Sequence, residues 1–373
     1  MVQRLLSSRY VRNVTRSSLP LLALLLVVAV AGFAVAPDGK GATIRLIVNF
    51  FITLTMVIGL QIFTGNSGVP SYGHAAFVGV GAYVTAWVTI DPELKADLMP
   101  GLPSWLMGAE WGFVPTLLAS MVVGAVLAWL IGLVVMRMKE TAIAMSTLAL
   151  LVIAHGVFNN WDAATRGTEG LFALPVRTNV WIAFAGAAVA VVVALAFKYS
   201  PIGLRLQASR EDSLSAETAG VDVVKTRMWS WVVSAAVSAA AGSVWAQYNL
   251  AFAPAQFYWT LVLTLLSILV IGGMATVSGA VVGAGLYAVV YEILRGIEDE
   301  GSFFGIPVPE ITGLTQMVVA FATLMVLIYR RDGILSWWEL DGWLAKAGPR
   351  LSRGRRGEQA PPAAPPPAKR EGV

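Results

Sequence analysis

The chain has 373 residues, 57% of them hydrophobic and only 13% charged, with a net charge of +4, two histidines and no cysteine. Soluble domains carry roughly 25% charged residues, so the excess apolar surface must face lipid, in line with a mean hydropathy of +0.71. Without cysteine there are no disulfides, thiol nucleophiles or cysteine-ligated metals, two distant histidines make a poor metal set, and no G-x-x-x-x-G-K-[ST] phosphate loop equips the chain to hydrolyse ATP.

A bilayer core of about 30 Å takes about 20 apolar residues of helix. Runs that satisfy or approach this lie at 20–36, 44–63, 74–90, 112–136, 140–158, 180–197, 228–250, 259–276, 277–294 and 312–329. The expected fold is all-α: a polytopic membrane protein of about ten transmembrane helices, with a short cytoplasmic coupling helix. Residues 1–19 read as a basic cytoplasmic N-terminus, 20–329 as the membrane domain and 330–373 as a cytoplasmic tail. The first run, with Ala34-Val35-Ala36 at its end, is read as an uncleaved anchor rather than a cleaved signal.

Lysine and arginine concentrate in short cytoplasmic loops. The N-terminal 19 residues hold four arginines and no acid, which puts the N-terminus inside. Loop 91–111 then falls outside, with Asp91, Glu93, Asp97 and Glu110 against Lys95. Loops 137–139 and 198–227 fall inside with Arg137, Lys139, Lys198, Arg205, Arg210, Lys225 and Arg227, and the C-terminus is inside too. In the tail, Trp337, Trp338 and Trp343 beside Arg330, Arg331 and Lys346 read as an interfacial segment, and the Pro-, Ala- and Arg-rich residues 347–373 as disordered.

Small residues line several runs. Ser234, Ser238 and Gly242 recur every four residues, Ala235, Ala239 and Ser243 lie beside them, and Gly279 and Gly283 form a second pair. They read as close helix packing in lipid.

Three polar, glycine-rich stretches interrupt the apolar pattern. Broken helix in a membrane is tolerated only inside protein or beside water, so these are candidate pieces of a translocation path. The first runs from Thr64 to Phe77 and includes Ser71 and His74; His74 is either a path-lining group at a helix start or an interfacial side chain bonded to backbone. The second joins Thr147 and His155 to Asn159, Asn160, Trp161 and Asp162 and then to Thr165–Gly170, as either a receiving surface or a set of caps and belt aromatics. The third, Ile271–Gly279 with Gly272 and Gly273, is either a tight turn or a discontinuous helix.

Loop 198–227 differs in kind. Ser209-x-x-Asp212 fits a capping box and Gly220 a helix stop, which predicts a charged helix over about 210–219 outside the bilayer, suited to dock on another protein or simply to connect two spans.

These blocks together resemble the membrane permease subunits of branched-chain amino acid ABC importers, the LivM type, over about residues 50–330. Gly68, Ser71, Gly73, His74, Ala75, Ala76, Phe77, Gly79, Gly81, Ala82 and Tyr83 match its first block. Thr147-Leu148-Ala149, Asn159-Asn160-Trp161, Thr165, Gly167 and Gly170 are similar to its second. Gly203, Leu206, Ala208, Arg210, Glu211, Asp212, Ala216, Glu217 and Gly220 are similar to its coupling loop. The sequence departs from the family at Val69, Val152, His155, Leu204 and Gln207.

The resemblance implies a permease in the bacterial inner membrane, paired with a second permease of the LivH type. It implies two cytoplasmic ATPase subunits that carry ATP and magnesium, and a periplasmic binding protein that delivers the amino acid. This chain would bind no cofactor and no nucleic acid and would not be an enzyme. Gly203, Arg210, Glu211, Asp212, Ala216, Glu217 and Gly220 would couple to the ATPase; Ser71, His74, Thr147, Asn159, Asn160, Gly272 and Gly273 are the candidate path residues. An ABC permease for urea or short amides, and an ion-coupled secondary transporter, are the alternatives; the second finds almost no acidic residue in the middle of a span to support it.

Overall fold

A computed structural model describes residues 2–35, 41–300, 302–303, 306–307, 313–329 and 333–335. Its elements in order are α1 (Val2–Val35), α2 (Ala42–Ser67), α3 (His74–Thr89), α4 (Pro92–Leu98), α5 (Ser104–Met107), α6 (Phe113–Val135), α7 (Glu140–Asn160), α8 (Asp162–Thr165) and α9 (Val180–Tyr199). There follow α10 (Pro201–Glu211), α11 (Ser213–Thr218), α12 (Val223–Asn249), α13 (Trp259–Gly272), α14 (Val277–Glu300) and α15 (Leu314–Tyr329). Strand structure among the described residues amounts to a two-residue pair, Ser302–Phe303 with Ile306–Pro307, and one bridge between Leu171 and Phe252.

Among the described residues, seven helical stretches are long and apolar enough to cross a bilayer: Tyr10–Ala34, Thr43–Ser67, Phe113–Val135, Glu140–Asn160, Val180–Tyr199, Pro254–Gly272 and Val277–Arg295. The other three predicted runs are helices as well. Of these, α3 and α15 have 16 residues each, short for a span by the length rule, and the 27-residue α12 carries many serines. Contacts bring the last turns of α2, α9 and α10 and the α13–α14 turn together at one end of the molecule. That end is basic: it gathers Lys139, Lys198, Arg210 and Arg227, and the Arg227–Glu140 ion pair at 2.6 Å joins the starts of α12 and α7 there. The opposite end holds the acid-rich segment 91–111.

Local chemistry explains the boundaries. Gly68 closes α2 in a left-handed conformation (φ 75°), with its N–H on the Thr64 carbonyl. Asn179 caps α9 through the Ile182 N–H at 2.9 Å, and Asp222 caps α12 through Lys225 at 2.9 Å.

The core forms around α12, which wedges between α2, α3 and α6. A Cβ on Gly242 would lie 2.8 Å from the Val78 carbonyl carbon, and one on Gly81 2.7 Å from that of Ala239, so these backbones meet only because both residues are glycine. Ser230 and Ser234 donate to the Ile62 and Gly59 carbonyls at 2.8 and 2.6 Å, and Thr85 donates to Ser243 at 2.7 Å. The small-residue stripe is thus a packing seam in which Ser230, Ser234 and Ser243 bond across helices, while the Ser238 hydroxyl is buried with no partner among the described residues. Gly279 and Gly283 likewise bring α14 against Gly272 of α13.

Two boundaries differ from expectation. Helix α1 begins at Val2 and runs unbroken through the basic segment. The predicted single helix at 210–219 is two helices, because the cap is Asp212 and not Ser209. The Asp212 carboxylate accepts from the Leu214 and Ser215 N–H groups at 3.0 and 3.1 Å, and its extended backbone (φ −154°) breaks the chain between α10 and α11. Ser209 is buried and donates to the Leu206 carbonyl instead. Gly220 ends the segment at φ 83°, as the sequence predicts. The tail segments at 330–332 and 336–373 lie outside the described residues.

Candidate functional site

The predicted path residues fall into separate groups. At the basic end, the break between α2 and α3 folds against α7: Tyr72 N–H donates to Thr147 Oγ1 at 3.2 Å, and Thr147 donates in turn to the Ala144 carbonyl at 2.8 Å. His74 is buried inside this arrangement. Its Nδ1 lies 2.8 Å from Ser71 Oγ, and its Nε2 meets Ser234 Oγ on α12. Since the Ser234 hydroxyl donates to the Gly59 carbonyl, it accepts from His74 Nε2–H, and Ser71 donates to Nδ1. Phe63, Phe77 and Trp231 enclose the imidazole, with ring centroids at 6.1, 6.3 and 5.2 Å. His74 therefore ties α2, α3 and α12 together through side chains. It also borders, with Ser71, a narrow cleft completed by Leu60, Val262 and Leu265.

Asn159 and Asn160 sit at the other end of α7. Asn159 Nδ2 lies 2.8 Å from His155 Nε2, and the His155 ring stacks on Tyr258 at 3.9 Å. Asn160 donates to the Gly156 carbonyl at 2.7 Å, and Trp161 makes an edge contact with Trp87. The loop then folds back on the segment after α12, where Leu171 and Phe252 exchange backbone hydrogen bonds at 2.9 Å. These residues are not brought together with Ser71, His74 and Thr147.

Gly272 and Gly273 form a tight turn between α13 and α14 at the basic end, with φ 116° at Gly273. Residues 333–335 return to this turn: the Ile334 and Leu335 N–H groups donate to the Ile271 and Gly272 carbonyls, both at 3.0 Å. Thr276 Oγ1 donates to the Leu335 carbonyl at 2.9 Å. Lys198 Nζ donates to the Ala275 carbonyl at 3.0 Å.

Between α9 and α12, Ser200 caps α10 on the Gly203 N–H at 3.0 Å ahead of Pro201. A Cβ on Gly203 would lie 2.9 Å from the Lys198 carbonyl oxygen, which makes the turn from α9 to α10 possible. Arg210 is half-buried and donates through Nη1 to the Gly65 carbonyl at 2.8 Å. Glu211, Asp212 and Glu217 are exposed, Leu214 is 71% exposed, and Ala216 is buried against the body. Hydrogen bonds from Ser215 hold the Asp212 carboxyl below the usual carboxylate range.

Three features escaped sequence reasoning. Lys95 is fully buried, and its ammonium donates to the Leu106 and Ala109 carbonyls at 3.1 and 2.6 Å, fastening α4 to the end of α5. Burial pushes its pKa down, against the attraction of Glu110 and Asp91. Arg227 pairs with Glu140 across 87 positions of sequence. Gln61 is fully buried in α2 with no partner for its carboxamide among the described residues; a glutamine inside an apolar run was the available signal. No group of three or more potential metal-ligating side chains occurs among the described residues.

With this architecture in view, comparison with known proteins is specific. Residues 42–328 match the family described as the branched-chain amino acid transport system / permease component, and the chain belongs to that family. It is similar to the probable branched-chain amino acid transport permease protein LivH of Methanocaldococcus jannaschii, at 23% identity over 80% of this chain and 92% of that protein. It is also similar to the high-affinity branched-chain amino acid transport system permease protein LivM of Salmonella typhimurium, at 22% identity over 76% of this chain and 68% of that one. A probable LivM permease of M. jannaschii is 24% identical over 74% of this chain and 88% of its own length. No solved structure matches. Family and apolar helices together make this a multi-pass membrane protein of a transport system.

Proposed function

We propose that the chain is one of two permease subunits of an ABC importer in a bacterial inner membrane, moving branched-chain or related amino acids inward. The second permease is of the LivH type. Two cytoplasmic ATPase subunits supply the energy from ATP and magnesium, and a periplasmic binding protein supplies the substrate. The ten helices are its spans, with both termini and the basic end cytoplasmic.

The observation that carries the reading is the α10–α11 segment. It is a rigid, capped helical excursion at the basic end that exposes Leu214, Glu211 and Glu217 while anchoring Ala216. An exposed leucine ringed by acids suits a groove on a soluble partner.

The test is purification of the importer and uptake into proteoliposomes. Glu217→Arg and Leu214→Asp are expected to release the ATPase subunits while the chain still reaches the membrane. Retention of the ATPases in both variants would refute docking at α11. Uptake by this chain alone under an ion gradient would refute the importer reading and favour the secondary transporter.

A further inference from the structure

Arg210 was expected to contact the ATPase, but its side chain points into the membrane domain. Its guanidinium donates to the Gly65 carbonyl in the last turn of α2, where unpaired carbonyls concentrate negative charge and a cation is stabilised. Its stem packs on Gly68, where a Cβ would lie 2.8 Å from Arg210 Cγ. Twelve positions earlier, in the last turn of α9 just ahead of the Ser200 cap, Lys198 donates to the Ala275 carbonyl in the α13–α14 turn, and its own carbonyl accepts from Gln207 of α10 at 2.8 Å. These two acceptor segments touch: Gly65 lies directly against the Met274 carbonyl, with no room for a side chain. Residues 334 and 335 brace the same turn from the far side.

Helix α10 is thus held at its last turn by Arg210 and tied through Gln207 to the end of α9, which Lys198 holds to the same cluster of backbone. That cluster joins the basic ends of α2, α13 and α14. Charge-assisted bonds are about twice as strong as neutral ones.

We propose that Arg210 and Lys198 are positioning residues that transmit displacement of the α11 docking surface into the basic ends of α2 and the α13–α14 turn, rather than residues that bind the ATPase. The proposal rests on the importer reading. A push on α11 passes through α10 to the Arg210 pin and, by way of the Gln207–Lys198 bond, to the pin at the end of α9, so the ends of α2, α13 and α14 move as a unit.

The test uses the complete importer in proteoliposomes, with Arg210→Gln, Lys198→Met and the conservative Arg210→Lys. In the first two, the ATPase subunits stay bound through purification, and uptake per ATP hydrolysed falls about tenfold, within the usual span of inter-site coupling. Arg210→Lys, which keeps a cationic donor, recovers most of the loss. Release of the ATPases from Arg210→Gln would make Arg210 a docking residue and overturn the proposal, and so would an unchanged ratio of uptake to hydrolysis.

A second measurement does not depend on how the variants fold. The chain has no cysteine, so spin labels at Ala208→Cys on α10 and Met274→Cys in the turn report one distance. That distance stays constant between nucleotide-free and ATP-bound importer if the pins hold. A shift of about one helical turn, about 5 Å, would overturn the proposal. If the unsubstituted importer shows no ATP-driven uptake, the importer reading itself fails, which is a separate result.

Discussion

The glycine at the α12–α3 crossing can be tested by adding one methyl group. In Gly242→Ala the new carbon would lie 2.8 Å from the Val78 carbonyl carbon and 3.0 Å from its Cα, with the carbonyl oxygen closer still. All three atoms are backbone, so no rotamer relieves the clash, and the helices must part by about 1 Å to reach ordinary contact. Overpacking of this kind costs about 1–3 kcal/mol. Separation also stretches the nearby Thr85–Ser243 bond, worth about 1 kcal/mol, and against both stands the roughly 1 kcal/mol that alanine gains over glycine in a helix. The net expectation is a loss of about 1–3 kcal/mol. Gly156→Ala on α7 is the control, since a methyl there meets nothing within 4 Å, and only the gain of about 1 kcal/mol should remain. Thermal unfolding of the detergent-solubilised chain, followed by tryptophan fluorescence, should therefore move in opposite directions for the two variants. Equal midpoints would refute the claim that this crossing depends on close backbone approach.

Lys95→Met keeps the apolar stem but leaves the Leu106 and Ala109 carbonyls without their donor. A cost of about 1–3 kcal/mol is expected, read as faster hydrogen exchange over 91–111; unchanged protection would show that the buried ammonium does not hold that segment. A double-mutant cycle of His74→Ala and Ser234→Ala should give a coupling of about 1 kcal/mol or more in the same unfolding assay, because the imidazole bridges Ser71 to Ser234. Additive losses would mean that the two side chains act independently.

The helices were legible in the sequence because an apolar run bounded by glycine or polar residues has few alternatives in lipid. Each of the ten runs is helical, and the breaks at 68–73 and 273–276 fall within the glycine-rich stretches singled out in the sequence. The charge asymmetry was legible for the same reason, since short loops have nowhere else to put lysine and arginine. What the sequence hid is whatever depends on distant partners. Arg210 and Gly65 are 145 positions apart, and His74 and Ser234 160, so spacing rules could not pair them. Ser209 matched a capping pattern with Asp212 as its second member, but in the fold Ser209 is buried and the exposed Asp212 is the cap. Lys95 counted as a surface charge because burial of a lysine inside a loop leaves no periodic trace. Asn159 and Asn160 belonged by motif with Thr147, yet a helix of 21 residues carries them to the opposite end.

The serine seam of α12 has a consequence for how that helix lies in a bilayer. Ser230, Ser234, Ser238, Ser243 and Gln247 are all fully buried, and α12 is absent from the seven stretches apolar enough to enter lipid by composition alone. A nascent α12 released by itself would present those hydroxyls to hydrocarbon, where each unpaired polar group is costly. Helices α2, α3 and α6 supply the surroundings that α12 lacks on its own, so what makes this helix acceptable inside a bilayer is its neighbours and not its own apolarity.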